Sequence, residues 1–437
     1  MIAALAVTGL VVTACGDSLD ETSTETPAAS ESAAESAAET TAENAVTGTL
    51  KIGFVSPQTG PLAGFGEADQ YVIDAMTEYF AENPIVAGGN TYAVEIILKD
   101  AQSDSKRAGE VAAELINSDG VDLILAGGTP DIVNPVADQC EANATPCITT
   151  VAPWQPYFIG RGGVPGESSF DWTYHFFWGL EDVAGTYASM WNKVDTNKQV
   201  AGLFPNDPDG EAWAANFPDL TAGDGYTINN PGLYPNGTQD FSSQISAFKG
   251  NGDEILAGVP IPPDFTTFWQ QAKQQGFNPK IATIGKALLF PSAIEALGEI
   301  GNNLGTEVWW TPTYPFSSSL TGQSAAELAT SFESTTGKQW TQPLGFAEAL
   351  FEVAYAAVIA AGSNDKMAIA NAMKTLKVST IVGDLDWNSG PVPNVAKTPI
   401  AGGQWRSSKG TYPFDLVIVD NSLYPNIPTA GTVEALK

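Results

Sequence analysis

The chain is poor in bases, histidine and cysteine. Nineteen lysines and arginines stand against 50 aspartates and glutamates in 437 residues, with one histidine and three cysteines, for a formal charge of -31. No Lys- or Arg-rich stretch is available to neutralise a run of phosphates, so nucleic acid and anionic membrane surfaces are excluded as partners. A single histidine and a cysteine pair with no paired histidines leave no zinc set, and any general base would have to be a carboxylate or a lysine, of which no pair stands out. There is no G-x-S-x-G elbow and no phosphate loop, since "TIGKAL" and "TTGKQW" lack the upstream glycine and the following hydroxyl. "NDPDG" has calcium-like spacing without the flanking ligands. The composition therefore points away from an enzyme and from a metal site, with no catalytic residue and no cofactor expected.

The apolar run from Ile2 to Val12 is too short to span a bilayer but suits the core of a secretion signal. It leads into Val12-Thr13-Ala14-Cys15, which resembles the bacterial lipobox; that resemblance implies a signal peptide over 1–15 and lipidation at Cys15. Residues 16–48 are almost wholly Ala, Ser, Thr and Glu, which cannot bury a core and read as a solvated tether. Cys140 and Cys147 remain, in "CEANATPC". An exported pair seven residues apart can close a small loop as a disulfide; the other reading is two free thiols at a helix end and a strand start.

From residue 49 short apolar strands alternate with segments of helical spacing. "LKIGFVSP", "YAVEIILKD", "VDLILAGG" and "PCITTVAP" are strands separated by helices such as "SKRAGEVAAELINSDG". The same grammar restarts at "KQVAGLFPN" and runs through "DEILAGVPI" to "PKIATIGKA". This predicts an α/β fold of two Rossmann-like, doubly wound lobes, with ligands beyond the carboxyl ends of the strands.

"KIGFVSPQTGPLAGFGEAD", "GVDLILAGGTPDIVNPVAD", "ITTVAPW" and "FWGLEDVAG", followed in order by "DEILAGVPIPPD", "QPLGFAEALFEVAYAAVIAA" and "IVGDLDWNSG", resemble the solute-binding proteins of branched-chain amino-acid type ABC transporters, the leucine-binding family. The likeness covers roughly residues 49–425. It implies a type I periplasmic-binding-protein fold whose lobes are joined by three crossovers, with 49–178 plus about 307–383 in lobe 1 and 179–306 plus about 384–437 in lobe 2. It further implies a monomer that closes around a small ligand outside the cytoplasm, on the outer face of the cell membrane or in the periplasm, and delivers it to a permease and its ATPase. A sensor component built on the same clam-shell is the neighbouring reading.

Carried over position by position, the resemblance places Phe65 on the ligand, unless it plugs its own lobe. It puts Thr129, Pro130 and Asp131 in the loop that holds a carboxylate, with Asp131 also suited to capping the following helix. Ala152 and Trp154 fall where the family contacts an amino-acid head, Asp209 where it has a tyrosine, and Ile261 in the loop after "DEILAGVP". Lys286 replaces the glutamate that pairs with the ligand's ammonium, which favours an oxyanion over an α-amino acid; alternatively it is solvated or paired with Glu299. Of Trp309 and Trp310, with Trp310 the candidate, one lines the cleft and the other packs. The expected ligand is thus a small carboxylate, with a branched-chain or other amino acid as the alternative. "TYHFFWG" becomes the strand leaving lobe 1, with Trp178 at the cleft and His175 as a packed histidine.

Overall fold

Strands whose side chains are apolar on both faces, such as Leu50, Ile52, Phe54 and Val55, must be covered by helices from both sides. In the computed structural model, which describes residues 45–437, this happens twice. The signal segment, Cys15 and nearly all of the 16–48 tether lie outside the described residues.

The chain first forms β1 (Gly48–Ser56), α1 (Asp69–Glu82), β2 (Ile85–Ala87), β3 (Asn90–Asp100), α2 (Ser105–Glu114), β4 (Leu123–Gly127), α3 (Pro130–Ala142), β5 (Cys147–Thr150), α4 (Trp154–Phe158) and β6 (Thr173–Phe176). It continues as α5 (Leu180–Trp191), β7 (Gln199–Leu203), α6 (Pro208–Ala222), β8 (Thr227–Asn229), α7 (Ser242–Asn251), β9 (Ile255–Gly258), α8 (Pro262–Gln274), β10 (Ile281–Ile284), α9 (Pro291–Glu295) and β11 (Gly305–Val308). The last part is α10 (Ala325–Thr336), α11 (Pro343–Ala361), α12 (Lys366–Met373), β12 (Lys377–Thr380), β13 (Gly383–Asp386), β14 (Val395–Ala396), β15 (Ala401–Ser407) and β16 (Phe414–Asp420).

One seven-stranded sheet has the order β14-β6-β5-β4-β1-β3-β2 and the other β16-β15-β11-β10-β9-β7-β8. Both are parallel at the centre, with β2 antiparallel at one edge and β15 and β16 antiparallel at the other sheet's edge. The expected two-lobed α/β fold is thus present. The apolar helix α11, long enough by composition to cross a membrane, is instead a core helix of lobe 1, packed against β2, β4 and β5.

The three crossovers follow β6, β11 and β14. The third differs from expectation: β14 pairs with β6 in the first sheet, so the chain passes to lobe 2 at 397–400 rather than near 384. The disulfide is also corrected. Cys140, in the last turn of α3, and Cys147, opening β5, are buried free thiols. Burial pushes the Cys140 thiol well up, so it packs there as a neutral group.

One buried acid in lobe 1 gives a testable pH dependence. Asp69 opens α1, is 3 % exposed, and accepts a 2.5 Å bond from Ser56 Oγ. Burial pushes its carboxyl up to about 7, only partly offset by that bond. A folded-state value above the unfolded one means stability that is full below the unfolded value near 4 and is lost as pH rises through 7. Melting temperature should therefore fall from pH 5 to pH 8, and Asp69→Asn should flatten that slope. Glu352, pushed up to about 7 by burial on α11, has the same sign and leaves the variant a smaller fall over the same range.

Candidate functional site: the cleft between the lobes

The carboxyl ends of the two sets of parallel strands face one another, and the loops that follow them line a small cavity of about 30 Å³. Four strand ends from each sheet contribute. Phe65 follows β1, Thr129 follows β4, Val151 and Pro153 follow β5, and Phe177 and Trp178 follow β6. From lobe 2 come Asp209 and Trp213 after β7, Val259 after β9, Lys286 and Leu289 after β10, and Glu307 and Trp309 at the end of β11. A larger hollow of about 590 Å³ near Tyr174 and Trp387 lies at the opposite end of β6, and the polar tips of those two rings are already bonded to Ala370 O and His175 O.

The backbone is strained on both sides of the cavity. Val151 has φ +72°, an outlier for a β-branched residue, and Lys286 has φ +57° with ψ -60°. Such conformations aim side chains that regular strands would direct elsewhere.

The Lys286 ammonium is buried and already paired. Its Nζ lies 2.9 Å from Asp207 Oδ2 and 2.8 Å from Asp209 Oδ2, so its partners are these and not Glu299. Burial alone would lower its pKa, but Asp207, Asp209 and Asp131 outweigh that and hold it above its ordinary value. Asp207 caps α6 through Gly210 N at 2.8 Å and accepts from Asn236 Nδ2 at 3.0 Å; despite burial, Lys286 and these bonds hold its carboxyl below the usual value. Burial pushes Asp209 up to about 6, with Lys286 opposing. Burial likewise raises Glu307, which accepts from Tyr187 OH.

The rest of the wall is aromatic. Phe177 packs against Trp178 at 4.6 Å, Trp309 at 5.2 Å and Phe346 at 5.2 Å between ring centroids. Gln342 at the start of α11 fixes the second crossover by accepting from Trp309 N at 2.8 Å and donating to Glu307 O at 3.1 Å. The indole Nε1 of Trp178, Trp213 and Trp309 and the Thr129 hydroxyl are buried with no partner among the described residues, as is Asp209 Oδ1. Buried donors are seldom left unmatched, so this concentration in one cavity marks a place that accepts polar groups.

Of the eleven residues expected at the ligand, Phe65, Thr129, Trp178, Asp209 and Lys286 stand in the wall. The other six do not. Pro130 and Asp131 lie in the first turn of α3; Asp131 makes no capping bond, although a carboxylate there is favoured by the helix dipole. The Ala152 carbonyl is taken by His175 Nε2 at 2.7 Å. Trp154 Nε1 donates to Glu181 Oε1 at 3.1 Å, in a hinge cluster where Lys397 on the third crossover also pairs with Glu181 and Asp182. Ile261 is the buried residue before α8, and Val259 faces the cavity in its place. Trp310 packs on Gly345 of α11, where even a Cβ would come within 2.4 Å of the indole, so Trp309 is the lining member of the pair.

His175 is packed, as its strand position suggested. Ala152 O can only accept, so Nε2 carries the proton and Nδ1 accepts from Thr149 Oγ1 at 2.8 Å. Burial lowers its pKa to about 3. Among residues not anticipated, Trp213 had a readable signal, lying one helical turn after Asp209 on the same face of α6. Val151, Val259, Leu289 and Glu307 had none.

A family model described as periplasmic binding protein matches residues 49–410. The chain belongs to that family. The periplasmic binding protein fold extends to solved structures at low identity. A leucine-binding protein, LivK, from Thermotoga maritima shares 21% identity at TM-score 0.70, covering 85% of this chain and 99% of that one. An ABC-transporter solute-binding protein from Rhodopseudomonas palustris, solved with 3,4-dihydroxybenzoic acid, shares 17% at TM-score 0.68, covering 85% and 98%. LivJ from Streptococcus pneumoniae, solved with isoleucine, shares 15% at TM-score 0.68, covering 85% and 99%. No curated protein sequence matches the chain. Membership of a periplasmic binding protein family makes this an exported, extracytoplasmic binding protein and not an enzyme.

Proposed function

We propose that the chain is the solute-binding lipoprotein of an ABC importer, anchored at Cys15, that closes as a monomer around a small carboxylate with a flat aromatic or apolar body and hands it to the permease. The observation that carries the ligand class is the set of unpartnered donors, three indole N–H groups and the Thr129 hydroxyl, in a cavity walled by rings. Neutral donors fixed in an apolar wall can hold an oxyanion without a free counter-charge, and the rings cover its flat part. Lys286 was expected to be that counter-charge, but Asp207 and Asp209 already neutralise it. Solved relatives bound to 3,4-dihydroxybenzoic acid and to 4-hydroxybenzoate support the aromatic acid.

The surplus of carboxylates around Lys286, with Asp209 and Glu307 in the wall, favours an amino acid as the second reading, because an ammonium would find acceptors there. Titration calorimetry against aromatic acids and branched-chain amino acids separates the two. Micromolar or tighter binding of an aromatic acid, with leucine at least tenfold weaker, is the expected result; tight leucine with no acid binding overturns it.

A further inference from the structure

We infer that Asp209 is a specificity-determining acceptor that reads a hydrogen-bond donor on the ligand, so that the cleft selects carboxylic acids carrying a hydroxyl or ammonium group over the same acids without one. This rests on the carboxylate reading above and adds a demand at the ligand's other end.

The unpartnered polar groups of the cavity fall into two kinds. Trp178, Trp213 and Trp309 offer indole N–H groups that can only donate, and Thr129 adds a hydroxyl. Asp209 Oδ1 offers an acceptor, equally buried and equally without a partner among the described residues. Its residue is 3 % exposed, so bulk water does not satisfy it freely. A plain carboxylate answers the donors and leaves Oδ1 orphaned; a hydroxy or amino acid answers both.

The carboxylate is fixed in place. Its other oxygen, Oδ2, lies 2.8 Å from Lys286 Nζ, and Lys286 is in turn 2.9 Å from Asp207 Oδ2. Asp207 is locked by Gly210 N at 2.8 Å and Asn236 Nδ2 at 3.0 Å. This chain of contacts orients Oδ1 before any ligand arrives, which makes Lys286 a positioning residue rather than a ligand contact. A site built to pair with a donor rejects the analogue lacking it, because the acceptor is then buried unpaired.

The test uses matched ligand pairs in titration calorimetry on the whole chain: 4-hydroxybenzoate against benzoate, and leucine against its deaminated analogue. In the unsubstituted protein the donor-bearing member of at least one pair should bind about 10- to 100-fold more tightly. Asp209→Ala should shrink that ratio to within about threefold; Asp209→Asn, which retains an acceptor, should restore part of it. Acids that bind the unsubstituted protein with no donor preference overturn the inference and leave the carboxylate reading standing. A preference that survives Asp209→Ala also overturns it. Should no acid bind at all, the carboxylate reading fails and takes this inference with it. If Asp209→Ala does not fold, the ratios in the unsubstituted protein and in Asp209→Asn decide.

Discussion

Lys286→Met should destabilise the protein by about 3–5 kcal/mol at pH 8, the usual cost of removing one partner from a buried ion pair. The substitution keeps most of the apolar stem and removes only the charge that Asp207 and Asp209 share. Both carboxylates then stand buried without a cation, with Asp131 of the opposite lobe adding to the negative field. The pH dependence has a definite sign. In the unsubstituted protein Asp209 already sits at about 6 because of burial, and losing Lys286 pushes it further up and removes the main charge that holds Asp207 down. Groups with raised folded-state values stabilise below their unfolded values and lose that contribution as pH rises through the folded ones. The deficit of Lys286→Met relative to the unsubstituted protein should therefore be largest at pH 8 and shrink toward pH 5. Urea unfolding at the two pH values measures it, and Lys286→Met combined with Asp207→Asn and Asp209→Asn should recover most of the loss. A single variant as stable as the parent at pH 8 would show that the three charges are not mutually buried.

Phe290→Ala should open the ligand-free protein. Phe65 in lobe 1 and Phe290 in lobe 2 meet edge to face across the cleft, with centroids 4.9 Å apart and both rings nearly fully buried. Gly64 beside Phe65 admits this approach, since a Cβ there would sit 3.0 Å from the Phe290 ring. The contact exists only when the lobes are together, so it biases closure directly. An aromatic pair of this kind with its cross-lobe burial contributes about 1–2 kcal/mol, or roughly tenfold in the open-to-closed ratio. Small-angle scattering should give a larger radius of gyration for Phe290→Ala without ligand, converging on the parent when ligand is saturating. Affinity should fall by a similar factor through the closed population. Phe290→Leu, which keeps apolar bulk, should lie between the two. An unchanged radius would place the closing force elsewhere, with the hinge cluster of Lys397, Glu181 and Asp182 the next candidate.

The lobes and their order were legible because strands buried on both faces are continuous apolar runs, and helices of period 3.6 must cover them. "LKIGFVSP" and "VDLILAGG" became neighbouring parallel strands for that reason. The third crossover was misplaced because β14 is two residues long and pairs with β6 only through long-range contact. Cys140 and Cys147 were near enough in sequence to suggest a disulfide, whereas the structure holds them as buried free thiols in the lobe core.

At the site, local pattern located the loops but not the side chains within them. In the loops after β1, β4, β6, β7 and β10, Phe65, Thr129, Trp178, Asp209 and Lys286 line the cavity. Which neighbour turns inward was set by single backbone conformations and by the packing of one residue. Val151 at φ +72° faces the cavity while Ala152 is spent on His175, and Trp309 faces it because Trp310 is pressed against Gly345. A lysine at position 286 could be read from the chain, and so could the loss of the family's glutamate. That its charge is neutralised by Asp207 and Asp209, nearly eighty residues earlier, could not. Hydrophobic periodicity is a local property that a sequence carries openly, but the balance of charge in a buried cleft depends on which distant loops fold against one another.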